Sequence, residues 1–191
     1  MVFTAMTTDQ STSALAALAA SAQAGDRYAL DRLVAEVRPA VFRYCLARLL
    51  DPHDADDVTQ EVTVAMMTAV PRYVETGRPF LAFVFGIAGN KVSEFRRSAR
   101  RHDEPVETLP PGRAPAAAEP EEAALRLETT RHVAALLDEL PADQAELVRL
   151  RVVAGLSAEE AGAVLGMTAN AVRVAQHRAL GRLRTLLTGS R

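Results

Sequence analysis

Tryptophan is absent from this 191-residue chain, and all aromatic residues together make up only 5% of it. β-Sandwiches and barrels draw on β-branched and aromatic residues. The scarcity of aromatics, with Ala and Leu supplying much of the 49% hydrophobic content, points to helices. The single cysteine, Cys45, excludes an internal disulfide. It lies in an apolar-periodic stretch and reads as a buried structural thiol rather than a nucleophile. No Lys or Arg precedes Arg27, which argues against a signal peptide. No apolar run reaches the length of a membrane span. A nucleophile–base pair, a phosphate-binding glycine loop and His/Cys spacing for a metal are all missing. The expectation is a cytoplasmic protein with no membrane insertion of its own, no cofactor, no metal and no catalytic residues. A hydrolytic enzyme has little support.

Helical periodicity is what the chain does have. Residues 1–13 are polar and read as a loose, disordered tail. From Ala14, Leu30, Leu33, Val34 and Val37, then Val41, Cys45 and Leu49, recur at spacings of three and four. Gly25-Asp26 opens the first of these helices, and Pro39 is expected to divide it from the next. Asp51-Pro52 starts a helix over about 53–70, with a stripe of Val58, Val62, Ala65, Met66 and Ala69. Gly77 and Pro79 mark a loop. A further helix over about 80–99 carries Leu81, Val84, Phe85, Ala88, Val92 and Phe95 on one side.

Between 102 and 120 the periodicity stops, and five of the ten prolines fall there. This composition predicts a flexible linker over 102–122. The fold class expected is all-α: two small helical domains, 14–101 and 123–191, joined by that linker.

The net charge of −2 hides strong local asymmetry. Residues 166–184, "GMTANAVRVAQHRALGRLR", hold Arg173, Arg178, Arg182 and Arg184 and no acidic residue. Ser157 and Glu160 form a capping box, Gly166-Met167-Thr168 a tight turn, and Thr168 a second cap. Val172, Ala175, Ala179, Leu183 and Leu186 follow at helical period. Small Ala161 and Gly162 permit the close, sharply angled crossing of a helix-turn-helix. A helix in the DNA major groove passes between two rails of phosphate, which repel carboxylates and attract arginine. Thr168, Asn170, Arg173, Gln176, His177 and Arg178 are the candidate duplex contacts. A solvated basic face on an ordinary amphipathic helix is the alternative.

The segment "DPHDADDVTQEV" is the opposite case. Asp54, Asp57 and Glu61 form one ridge on a helix, with Asp56 and Gln60 beside it. Helix-dipole stabilisation suits Asp51, Asp54 and Asp56 but not Glu61, which lies further in. A docking face for a basic partner suits the whole set. The helix that follows the Gly77 loop starts aromatic, with Phe80, Phe83 and Phe85 after Tyr73, and ends basic, with Lys91, Arg96, Arg97, Arg100 and Arg101. Phe83, Gly86, Asn90 and Arg97 fall near one face. Aromatic and amide groups beside a basic patch suit capture of unstacked bases, and a core phenylalanine beside a solvated basic face is the alternative.

In order and spacing, "DADDVTQEV", "RPFLAFVFGIAGNKVSEFRR" and the C-terminal helix-turn-helix resemble an extracytoplasmic-function (ECF) sigma factor of bacterial RNA polymerase, over about 20–101 and 123–187. The resemblance implies a region 2 bundle whose Asp56, Asp57, Gln60 and Glu61 dock on the β′ clamp helices of core RNA polymerase. It implies that Tyr73, Arg78, Phe83, Asn90, Lys91, Arg96 and Arg97 hold the non-template strand of the −10 element of promoter DNA. Region 4 then reads the −35 element as duplex through the six residues named above and contacts the β flap. An anti-sigma factor is the implied regulator. The chain departs from the family pattern at Phe83, where a Trp is usual, and at Gly86, where an Arg is common. A stand-alone helix-turn-helix regulator with an N-terminal sensing domain is the competing function.

Overall fold

A computed structural model of the chain describes residues 5–74, 77–102 and 120–189, with side chains described over 13–74, 77–100 and 128–188. Among the described residues eight α-helices run in order: α1 Ala5–Gln23, α2 Arg27–Leu49, α3 Pro52–Ala69, α4 Phe80–His102, α5 Pro120–Asp138, α6 Ala142–Val148, α7 Ala158–Leu165 and α8 Ala169–Gly189. A 3₁₀ turn, Val70–Arg72, follows α3, and a π-helical turn, Arg149–Val153, follows α6. No strand occurs among the described residues.

Local chemistry explains most boundaries. Asp26 caps α2 by accepting from the backbone N–H of Tyr28 and Ala29, and Asp51 caps α3 through His53 and Asp54. Pro52 occupies the first turn of α3, where no intrahelical donor is lost. α2 ends where Leu50 enters the left-handed region at φ 65°. Two expectations fail here. The tail expected over 1–13 is helical from Ala5, as the Ala-rich second half of α1 carries its helical bias back into the polar residues. Pro39 does not divide α2. It lies on the exposed side, where water can take up the carbonyl that its ring leaves unbonded, while Leu33, Val37 and Val41 stay fully buried on the other side. The expected linker falls mostly outside the described residues, and its last three, Pro120 to Glu122, already belong to α5.

α1–α4 form one bundle. Leu33, Val41, Tyr44 and Cys45 from α2 meet Val58, Val62 and Met66 from α3 and Val84, Phe85 and Val92 from α4. Burying each large apolar side chain is worth about 1.5–3 kcal/mol. Tyr44 and Phe85 meet edge to face at 5.4 Å. The same cluster continues into the C-terminal half through Leu147, Leu150, Leu156, Ala161 and Val172. A satellite core of Leu137, Leu140, Ala145, Val148 and Ala179 supports α5, α6 and α8. The two halves therefore share a core.

Polar contacts fasten that junction. Tyr44 and Arg48 both donate to the Glu146 carboxylate. The widened π-turn leaves the carbonyls of Val153 and Ala154 facing α2, where Arg43 donates to them at 2.9 and 3.2 Å.

Candidate polymerase and promoter interfaces

The α3 face carries the acidic ridge outward. Asp57, Gln60 and Glu61 are exposed, and with Val64, Ala65 and Lys91 they line a shallow concavity. Asp56 is turned to the side, where Arg38 donates to it at 2.6 Å. Burial, with Asp51 and Asp57 nearby, pushes the Asp54 carboxyl above its ordinary value. The ridge continues into apolar surface: Val64 is 56% exposed and Met67 38%. Sequence reasoning passed over Val64, although it follows Asp57, Gln60 and Glu61 at helical spacing.

Lys91 was expected among the −10 contacts. Its ammonium instead lies 3.3 Å from Glu61 and 3.0 Å from Glu94, on the acidic face. These two carboxylates, Glu94 first, hold its pKa above the ordinary value.

On the next side of the bundle Tyr73, Phe80 and Phe83 form an aromatic cluster. Ring centroids are 5.4 Å apart for Tyr73–Phe80, 5.0 Å for Tyr73–Phe83 and 5.8 Å for Phe80–Phe83. Phe80 is buried, while Phe83 and Tyr73 are half-buried and border an open concavity that Arg72, Val74 and Arg78 also line. Gln23 of α1 donates to the Tyr73 carbonyl and pins the loop. Gly86, Asn90 and Arg97 are exposed on the outer face of α4, as their spacing predicts. Arg78 and Arg96 point elsewhere: Arg78 donates to the Ala163 carbonyl in the C-terminal half, and Arg96 to that of Arg48. Burial lowers the Arg96 pKa.

The helix-turn-helix is built as its sequence predicts. Ser157 accepts from the Glu160 N–H at 3.1 Å, and Glu160 accepts from the Ser157 N–H at 2.7 Å. Gly166 turns the chain at φ 68°. A Cβ at Gly162 would meet the Met167 carbonyl oxygen at 2.6 Å, so only glycine fits this crossing. Thr168 accepts from the Ala171 N–H, and Val172 and Ala179 are buried. Thr168, Asn170, Arg173, His177 and Arg178 are each exposed. Gln176 is turned aside, its Oε1 accepting from Arg151 at 2.9 Å. Arg173 donates to Glu159 of α7 at 2.6 Å.

Among the described residues no group of His, Cys, Asp and Glu is arranged to hold a metal ion, and no helix is long and apolar enough to cross a membrane.

Two family models match the chain in this order: Sigma-70 region 2 over residues 33–102 and Sigma-70, region 4 over residues 131–183. The ECF RNA polymerase sigma factor SigD of Mycobacterium tuberculosis is 51% identical over 175 residues, covering 89% of this chain and 82% of SigD. This chain belongs to the ECF sigma factors. It is thus an RNA polymerase sigma factor, a subunit that directs promoter-specific transcription initiation. A second relative, the ECF sigma factor ShbA of Streptomyces griseus, is 48% identical over 188 residues, covering 93% of this sigma factor and 97% of ShbA. The solved structure of CnrH in complex with the cytosolic domain of CnrY matches at a TM-score of 0.68 and 28% identity, over 93% of this chain and 99% of that one. All three likenesses span both halves of the molecule.

Proposed function

We propose that this sigma factor divides promoter recognition among three of its surfaces. The α3 ridge, with Asp57, Gln60 and Glu61 at its centre and Asp56 at its flank, docks on the β′ clamp helices of core polymerase, and Lys91 belongs to this face. Tyr73, Phe83, Asn90 and Arg97 receive unstacked bases of the −10 element. Arg78 and Arg96 join them once their carbonyl partners release them. Thr168, Asn170, Arg173, His177 and Arg178 on α8 meet the −35 duplex, and region 4 touches the β flap. The chain contributes specificity and no catalytic group, and acts in the cytoplasm, where an anti-sigma factor holds it inactive.

One observation carries this reading. An outward ridge of carboxylates sits on one half of the molecule, and a recognition helix free of carboxylates on the other. Neither is needed for packing, and each suits a partner of opposite charge. The test is transcription by core polymerase on a genomic promoter library, with and without the purified chain. The reading expects chain-dependent transcripts whose start sites share two upstream elements at fixed spacing. Tight duplex binding without any chain-dependent transcript would replace it with a stand-alone regulator.

A further inference from the structure

α8 offers no carboxylate to DNA, yet one stands beside it. Glu159, in the first turn of α7, holds Arg173 at 2.6 Å, and both side chains are more than half exposed. The placement is rigid at both ends. The Ser157–Glu160 capping box fixes the start of α7, and the Gly162–Met167 contact and buried Val172 fix the crossing of α8. Glu159 is kept below the ordinary carboxylate range first by its own backbone N–H and then by Arg173, so it remains ionised at neutral pH. Arg151 also faces the pair, and it faces Glu160 as well, which is buried and engaged with Ser157.

As a stability element the pair is minor, since exposed ion pairs contribute little. A carboxylate at a DNA-facing surface also costs affinity through repulsion from phosphate. Its value lies in what it does to arginine. A free Arg has many rotamers and is drawn to the nearest phosphate, a contact that carries no sequence information. With Nη2 tied to Glu159, part of that rotamer freedom is already lost. The pull of the phosphates is offset, and Nε and Nη1 remain to donate.

We infer that Glu159 is a positioning residue that holds Arg173 against a single base edge of the −35 duplex, the O6/N7 edge of a guanine, and away from the phosphates. The inference rests on the reading that α8 lies in the groove of the −35 element. It has an unusual signature: removing a negative charge next to DNA should improve binding while degrading specificity.

The experiment uses the full chain bound to core polymerase. The probes are one promoter selected by that holoenzyme and its set of single-base substitutions across the upstream element. Arg173→Ala should cut discrimination at one guanine by about fivefold to a hundredfold. Glu159→Gln should cut discrimination at that same position while tightening binding to unrelated duplex, and should steepen the log–log salt dependence by about one unit as Arg173 moves to a phosphate. Glu159→Asp keeps the charge but shortens the reach, so it should lose discrimination with an unchanged salt slope. In the Arg173→Ala background Glu159→Gln should have no further effect on specificity. Undiminished discrimination in Glu159→Gln, or a uniform weakening at all sequences, would overturn the inference. If Arg173→Ala itself leaves discrimination intact, the placement of α8 on the −35 element fails, and this inference with it.

Discussion

Tyr44 of α2 donates its hydroxyl to Glu146 of α6 at 2.6 Å, and Arg48, one turn further along α2, donates to the other carboxylate oxygen at 2.7 Å. This one carboxylate, at a distance of about a hundred residues in sequence from both donors, joins the two halves of the sigma factor. Burial, seconded by Glu146, raises the Tyr44 pKa, so the phenol remains a donor through neutral pH.

Glu146→Ala removes the acceptor and leaves Arg48, whose Nε already lacks a partner among the described residues, in a half-buried site. We expect a loss of about 1.5–3 kcal/mol, the range for hydrogen bonds to charged groups, in urea unfolding monitored by circular dichroism. Tyr44→Phe keeps the ring contact with Phe85 and should lose less.

Gly162→Ala tests the helix crossing. The new methyl group collides with a backbone oxygen, which cannot swing away as a side-chain tip could. Overpacking of this kind costs about 1–3 kcal/mol. The variant should show a lower melting temperature and weaker duplex binding, whereas Gly181→Ala, where the added methyl group meets none of the described residues, should show neither.

Cys45 is fully buried, and its thiol is pushed up to about 11, chiefly by that burial. It should resist thiol reagents until the protein unfolds, so labelling tracks global opening. The unfolded thiol loses its proton from about pH 9 and the folded one only near 11. Over that interval the unfolded state binds fewer protons. Stability from this group therefore falls as pH rises, by up to about 1.4 kcal/mol per pH unit. Cys45→Ala should flatten this part of the profile.

Where sequence and structure agree, the signal is local. The Ser157/Glu160 box, the Pro52 start of α3, the Gly166 turn and the outward Asp57–Glu61 face each depend on residues within one or two turns. What escaped depends on partners far along the chain. Nothing near Glu146 announces Tyr44, nor does any pattern around Glu61 reveal that Lys91 will lie against it rather than with the aromatic cluster. Pro39 misled because its local penalty is real but is outweighed by a buried stripe that continues on both sides of it. Gln176 looked like a base reader from its place on α8, yet Arg151 from the π-turn claims its carbonyl. Glu159 was invisible for the opposite reason: in sequence it is only one more acidic residue in a first helical turn.

The central claim is that the α3 ridge is the polymerase-docking face. Asp57→Arg with Glu61→Arg reverses two exposed charges that share one helix face, and should leave the helical circular dichroism spectrum and the melting temperature nearly unchanged. Like charge set against a basic partner costs several kcal/mol, so capture by core polymerase should fall by orders of magnitude and promoter-dependent transcripts should vanish, while duplex binding through α8 persists. A folded double variant that binds core polymerase and initiates as the unaltered chain does would contradict the account.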